Sequence, residues 1–219
     1  MSLVDIFVTF VPIITAIILH ELAHGYTAYK LGDNTAKYCG RLSFNPLKHA
    51  DLFGTIILPA LLFFSKVGFI FGWAKPVPVN FNNLRHYKRD MLLVSAAGIV
   101  MNIFLAAASA IILKLLSFLP QSTIQGILGL FFLNMVVFNI VLAAFNALPF
   151  PPLDGSKIFF GWIEKNWAQK YVSSEKGGMA AIIILAFVIP SIGKNLGFDW
   201  NILGWYLIKT TQYFASILL

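Results

Sequence analysis

Two histidines and a glutamate stand at metal-site spacing in the segment ILHELAHGYTAYKLG, residues 18–32. His20 and His24 are four residues apart, so on a helix both imidazole rings lie on one face, about one turn apart. Both rings can then reach the same metal ion, and Glu21 beside them can act on a water molecule at that ion. The spacing therefore predicts a metal site with hydrolytic chemistry.

A third ligand is needed, because a catalytic zinc is held by three protein ligands and keeps one position open for water. Of the nine acidic residues, most stand in charged loops. Asp154 differs, since it lies directly after an apolar span in NALPFPPLDG, residues 146–155. The prolines of this segment stop the helix and Gly155 frees the backbone, which would turn the carboxylate inward from a helix end.

The composition is that of a polytopic membrane protein. The chain has 219 residues, of which 58% are hydrophobic and 11% charged, and its mean hydropathy is +0.79. A soluble domain carries about 25% charged residues. In a membrane protein, lysine and arginine residues gather in the cytoplasmic loops. We therefore attribute the net charge of +7 to such loops and expect no nucleic-acid partner. The single cysteine excludes an internal disulfide and a cysteine-rich metal site.

The predicted fold class is all-α, with about five transmembrane helices, a re-entrant segment and a short extended β-like loop. The first helix combines the apolar run from Leu3 with the histidine segment, and the other apolar spans are residues 91–118, 123–148, 179–192 and 200–219. Residues 52–72 are apolar but interrupted by proline, lysine and glycine, and we expect them to be re-entrant. The loop KPVPVN, residues 75–80, alternates valine with proline, which favours an extended chain.

The metal site imposes a parity condition on these spans. His24 and Asp154 each follow the C-terminal end of a span, so both ends must lie at the same membrane face. If residues 52–72 crossed fully, Asp154 would finish about 30 Å away on the opposite face. This scheme places thirteen of the sixteen basic residues on the side of the metal site: Lys30, Lys37, Arg41, Lys48, Lys66, Lys75, Arg85, Lys88, Arg89, Lys157, Lys165, Lys170 and Lys176. We therefore predict an inner-membrane, multi-pass protein whose site faces the cytoplasm.

HELAH and NALPFPPLDG together resemble the site-2 protease family of intramembrane zinc metalloproteases. GIVMN, residues 98–102, is similar to the G-x-x-x-N motif of that family, and FGWAKPVPVN, residues 71–80, is typical of its short bacterial members. No PDZ-like domain or CBS pair is expected. The resemblance runs from about residue 10 to 160, which predicts a metalloprotease core at 1–160 and an amphipathic segment with C-terminal transmembrane helices at 161–219.

This resemblance implies one Zn2+ per chain and assigns roles to residues of this sequence. The implied zinc ligands are His20, His24 and Asp154, with Glu21 as catalytic base. Asn102 and Asn146 are implied to line the active-site region, where the Asn146 amide would help to hold a developing oxyanion.

The expected function is an intramembrane endopeptidase that hydrolyses peptide bonds in or near transmembrane segments of membrane proteins. Its substrates would be single-pass membrane proteins or remnant peptides whose helix unwinds readily. The amides of Val77 and Val79 would bind the unwound segment by strand addition.

Other interpretations remain open at this point. The ionisable groups could form a proton or ion path in a transporter, or the chain could be a protease-like scaffold that binds membrane segments without cutting them. Asn102 could simply join two helices, and residues 75–80 could be a plain interfacial loop. His49 and His86 have no partner at ligand spacing and are predicted to be surface groups.

Overall fold

The computed structural model describes residues 2–57 and 74–219, and this part of the chain contains helices and no strand. We number the helices α1 Leu3–Lys30, α2 Thr35–Tyr38, α3 Tyr87–Leu116, α4 Thr123–Asn146, α5 Asp154–Phe160, α6 Asn166–Val172, α7 Glu175–Asn195 and α8 Ile202–Leu218. Short 3-10 turns at Pro46–Lys48 and Phe81–Asn83, and a π-helical turn at Leu52–Ile57, lie in the loops. A second π-helical turn, Ile184–Val188, interrupts α7.

Four of the described helices, α1, α3, α4 and α7, are long and apolar enough to cross a membrane. The fifth apolar helix, α8, has 17 residues and is therefore about 25 Å long. The chain is thus an all-α polytopic membrane protein, as predicted.

Local sequence signals set the ends of the long helices. Ser2 and Asp5 form a capping box at the start of α1, in which each side chain accepts the backbone N–H of the other. The Ser122 hydroxyl accepts the Gln125 amide at the start of α4. These bonds satisfy amides that have no partner in the first turn of a helix.

Helices α1, α3 and α4 form the core. In the middle of α4, Asn134 Nδ2 donates to Val8 O of α1 at 2.8 Å. Further along α4, Asn139 is joined through Asn102 to His20, which lies further along α1, so these two helices run parallel. At the opposite end of α1, His24 contacts the carbonyl of Val94 in the first turns of α3, so α3 runs antiparallel to α1. The C-terminal ends of α1 and α4 consequently lie at one face, as the parity condition requires.

Small buried residues allow these helices to approach closely. Ala16, Ala106 and Ala144 are almost completely buried, and close helix packing in membranes depends on such residues. Helix α8 packs along α4 in the opposite direction, because Tyr206 O–H donates to Ala144 O near the end of α4 while Leu218 packs against the cluster that contains Val136.

The chain between α1 and α3 leaves and rejoins the core at the same face. The Arg85 amide donates to Leu31 O at 3.2 Å, and the Lys75 amide donates to His49 O at 2.8 Å. Most of the predicted re-entrant segment, residues 58–72, lies outside the described residues. His49 and Lys75, which flank this segment, are joined by the hydrogen bond described above. A segment that does not cross the membrane would require its flanking residues to lie at the same face.

The prediction that His49 is a surface group is wrong. Its side chain is only 2% exposed, because the ring packs in the loop and contacts Ser43 O through Nε2 at 2.7 Å. His86 is exposed, as predicted.

Asp33 ties the end of the loop 74–80 to the end of α1. Its buried carboxylate accepts hydrogen bonds from the Asn80 amide at 2.7 Å and from Asn83 Nδ2 at 2.9 Å, and it also binds Thr35. Burial opposes the ionisation of Asp33, but these hydrogen bonds outweigh it and hold the pKa of the carboxyl group below its ordinary value. The loop therefore has a fixed attachment close to the histidine helix.

Candidate metal centre

Three atoms that the sequence predicts as metal ligands converge at one point. His20 Nε2 and His24 Nε2 are 3.0 Å apart on α1. Asp154 Oδ2, on the first residue of α5, lies 3.3 Å from the former and 3.2 Å from the latter. Within the part of the chain that the structure describes, this is the one group of three histidine, cysteine or acidic side chains able to hold a metal ion.

Both imidazole rings are held through their other nitrogen. His20 Nδ1 contacts Asn102 Oδ1 at 2.6 Å, and His24 Nδ1 contacts Val94 O at 2.7 Å. A carbonyl oxygen can only accept, so each Nδ1 carries the proton and each Nε2 presents a lone pair. The two lone pairs point toward one another and toward Asp154.

Asp154 Oδ2 is buried without a hydrogen-bond donor. Three acceptors thus meet with no proton between them, and such an arrangement is costly unless a cation is shared. Ligand atoms about 2.0–2.1 Å from a tetrahedral zinc ion lie about 3.3 Å from one another. The observed separations of 3.0–3.3 Å therefore fit the predicted zinc ion.

Gly98 allows α3 to pass directly beside the two imidazoles. A Cβ atom at this position would lie 2.7 Å from His20 Nδ1 and closer still to His24 Nε2. Gly98 and Asn102 are four residues apart, so they share the face of α3 that meets α1. The G-x-x-x-N motif thus combines close approach with a hydrogen-bond acceptor one turn away.

The proline-rich turn at residues 149–152, which positions Asp154, is held by polar side chains from α5 and α6. Lys157 Nζ donates to Pro152 O at 2.9 Å, and Tyr171 O–H donates to Pro149 O at 2.6 Å. These bonds satisfy carbonyls that the interrupted helix leaves free. Gly155 fits directly against the Ala147 and Leu148 carbonyls, so α5 can start immediately behind the end of α4.

Comparison with known proteins identifies the family. The family model for "Peptidase family M50" matches residues 120–191. "Putative zinc metalloprotease YwhC" of Bacillus subtilis (strain 168) is 38% identical over 183 residues, which cover 82% of this chain and 80% of that protein. The chain belongs to peptidase family M50. This confirms the resemblance to the site-2 proteases.

A second relative of this M50 family member is more distant. "Putative zinc metalloprotease Rip2" of Mycolicibacterium smegmatis (strain ATCC 700084 / mc(2)155) is 26% identical over 180 residues, 80% of this chain and 64% of that protein. The alignment thus covers slightly less than two thirds of the length of this relative. No solved structure matches the chain.

Glu21 of this M50 family member lies under the loop 74–80. The Val77 amide donates to Glu21 Oε2 at 2.7 Å, and the Val77 side chain is buried against α1 at Gly25. Among the described residues, Glu21 Oε1 accepts no hydrogen bond. The loop thus fixes one carboxylate oxygen and leaves the other available.

The predicted substrate contacts of Val77 and Val79 stay predictions. The Val77 amide is already bonded to Glu21. Val79 packs its side chain against the buried cluster that contains Ala28, Leu84 and Met91.

The three asparagines of the site region differ in position. Asn102 is fully buried and contacts His20, whereas Asn146 is half-buried and donates to Leu142 O in its own helix at 3.0 Å. Asn139 was not predicted, although it is fully buried and its Oδ1 accepts from Asn102 Nδ2 at 2.8 Å. A polar amide in the middle of an apolar span is the signal that points to it.

Proposed function

We propose that this protein is a zinc-dependent endopeptidase that hydrolyses peptide bonds within or near the transmembrane segments of other membrane proteins. The observation that carries the proposal is the convergence of the lone pairs of His20, His24 and Asp154 beside Glu21. Membership of a peptidase family, and two relatives named as zinc metalloproteases, support it.

The roles of the side chains follow from their contacts. His20, His24 and Asp154 hold the zinc ion. Zinc, when bound, supplies a Lewis acid that lowers the pKa of water to about 7 and polarises a carbonyl group. Glu21 takes the proton of the attacking water and later passes a proton to the leaving amine. The Val77 amide keeps Glu21 Oε2 in place during this transfer, so Oε1 is the atom that accepts the proton.

The substrate class follows from the backbone chemistry of helices. The peptide carbonyls of a transmembrane helix are hydrogen-bonded within the helix, so they reach the site only after local unwinding. Suitable substrates are single-pass membrane proteins or remnant peptides whose helix is weakened by glycine or proline near the cytoplasmic face.

The experiment that tests this function is reversible metal removal. We expect the purified protein to contain about one zinc per chain and to cleave a single-pass membrane protein with a glycine-containing helix. A chelator should abolish cleavage, and added zinc should restore it. The same substrate with the glycines replaced by leucine is the control and should be cleaved far more slowly.

Two outcomes would contradict the proposal. Cleavage that persists in the fully chelated protein would exclude the zinc mechanism. Zinc-loaded protein that cleaves no substrate but carries ions across liposomes would indicate a transporter instead.

The site is proposed to face the cytoplasm. The loops after α1, before α3 and after α5 lie at the same end of the bundle. The Arg85 amide before α3 donates to Leu31 O at the end of α1. Lys88, near the start of α3, pairs with Glu164 after α5. These loops carry most of the basic residues, and such loops stay in the cytoplasm.

Labelling of single cysteines tests this orientation. With the exposed Cys39 replaced by serine, cysteines at 31–50, 82–90 and 165–176 should react only from the cytoplasmic side. A cysteine at position 121, in the turn between α3 and α4, is the control and should react from outside. Labelling of 82–90 from outside alone would contradict the parity condition.

A further inference from the structure

Asn139 lies in the middle of α4 and joins the metal site to the backbone of that helix. Its side chain is fully buried. Asn139 Nδ2 donates to Met135 O, one turn earlier in α4, at 2.8 Å. On its other side, Asn139 Oδ1 accepts from Asn102 Nδ2, also at 2.8 Å. Asn102 in turn contacts His20, so a chain of hydrogen bonds connects α4, α3 and α1.

The chain of hydrogen bonds has only one possible direction. Met135 O is a carbonyl and can only accept, so Asn139 must present its NH2 group to it and its oxygen to Asn102. Asn102 must then present its NH2 group to Asn139 and its oxygen to His20. An oxygen facing His20 Nδ1 requires the proton to be on Nδ1, which leaves the lone pair on Nε2.

We propose that Asn139 is a positioning residue that selects the tautomer of His20 able to bind the metal. If the Asn102 amide turned over, its NH2 group would face His20 Nδ1. The imidazole proton would then move to Nε2 and point at His24 Nε2 and Asp154 Oδ2, the place that a cation must occupy. This proposal rests on the assignment of His20 as a zinc ligand.

A second acceptor near Asn102 does not replace Asn139. Asn102 Nδ2 also lies 3.4 Å from Ala16 O, which is longer than the usual range of about 2.7–3.2 Å for such bonds. The bond to Asn139 at 2.8 Å is therefore the stronger constraint on the amide. The simpler alternative is that the Asn102–Asn139 pair only joins α3 to α4, and the experiment must separate the two roles.

Three variants and two measurements make this separation. Asn139→Leu removes the constraint, whereas Asn139→Asp keeps an oxygen that accepts from Asn102 in either protonation state of the new carboxyl group. Asn134→Leu is the matched control, because Asn134 lies on the same helix and its Nδ2 donates to Val8 O at 2.8 Å, without contact to His20. The measurements are zinc affinity, by competition with a chelator, and the 15N spectrum of the His20 ring in metal-free protein.

We expect Asn139→Leu to weaken zinc binding about 10–100-fold, the usual effect of losing an outer-shell partner of a ligand. In this variant, a larger fraction of the His20 rings should be protonated at Nε2 than in the wild type. Asn139→Asp and Asn134→Leu should keep the zinc affinity of the wild type and a His20 ring protonated at Nδ1.

The proposal fails if Asn139→Leu keeps both the wild-type tautomer and the wild-type zinc affinity, or if Asn134→Leu weakens zinc binding equally. If Asn139→Leu does not fold, Asn139→Asp decides, and protonation of its His20 at Nε2 would overturn the proposal. A wild-type His20 protonated at Nδ1 in a protein that binds no zinc would refute the proposed function alone, since the ring measurement needs no metal.

Discussion

Replacement of Glu21 by glutamine should strongly slow peptide-bond cleavage and leave the zinc content unchanged. Glutamine has nearly the same shape, and its carbonyl oxygen can still accept the Val77 amide that Glu21 Oε2 accepts at 2.7 Å. It cannot take a proton from water. Since a positioned general base contributes about 10²–10⁴-fold to a rate, we expect the initial cleavage rate to fall by that factor. The measurement compares this rate with zinc per chain in the same preparation.

Glu164→Gln is the matched control for this variant. Glu164 undergoes the same chemical change but is exposed, and it pairs with Lys88 at the surface. Such pairs contribute little to stability, so cleavage and zinc content should both stay at the wild-type level. A Glu21→Gln protein that cleaves at the wild-type rate would show that Glu21 is not the base.

The convergence of His20, His24 and Asp154 could be predicted from the sequence for two separate reasons. The spacing of the histidines is local, because any helix places residues four apart on one face. The position of Asp154 is not local, and it is indicated by the need for a third ligand and by the resemblance to the site-2 proteases. The number of crossings does not predict this contact, because the parity condition is itself drawn from the shared ion.

The burial pattern of the spans could not be predicted in the same way. Asn102 is fully buried, yet its neighbours Ile103 and Phe104 are more than half exposed on the outer surface of the bundle. In a soluble protein such a difference in burial between neighbouring residues would follow from hydrophobic periodicity. In a bilayer the lipid-facing and core-facing residues are both apolar, so periodicity loses its contrast and only isolated polar residues mark the inner face.

Contacts made by backbone atoms leave no signal in the sequence. The Val94 carbonyl that holds His24 and the Val77 amide that holds Glu21 belong to apolar residues with no distinctive side chain. Their positions depend on how α3 and the loop 74–80 pack against α1. The burial of His49 was missed for a related reason, because its partners are loop carbonyls and amides rather than side chains.

Gly98→Ala should disrupt the metal centre although the substitution adds a single methyl group. The new Cβ would lie 2.7 Å from His20 Nδ1 and would overlap His24 Nε2, so both rings must move from the positions in which their lone pairs converge. We expect zinc affinity to fall by about 100-fold, the upper end of what outer-shell changes cost, and cleavage to fall with it. Chelator competition and initial cleavage rates measure the two effects.

Helix propensity cannot explain such a loss, since alanine is favoured over glycine within a helix by about 1 kcal/mol. Gly126→Ala makes the same change in α4, where a Cβ would meet nothing within 4 Å. This control should keep full zinc content and activity. Because the two variants share their chemistry and differ in what the methyl group meets, equal zinc affinity in both would contradict the close approach of α3 to the histidines. A loss of zinc affinity in Gly98→Ala alone would show that the absence of a side chain at residue 98 provides the space in which His20 and His24 face the metal.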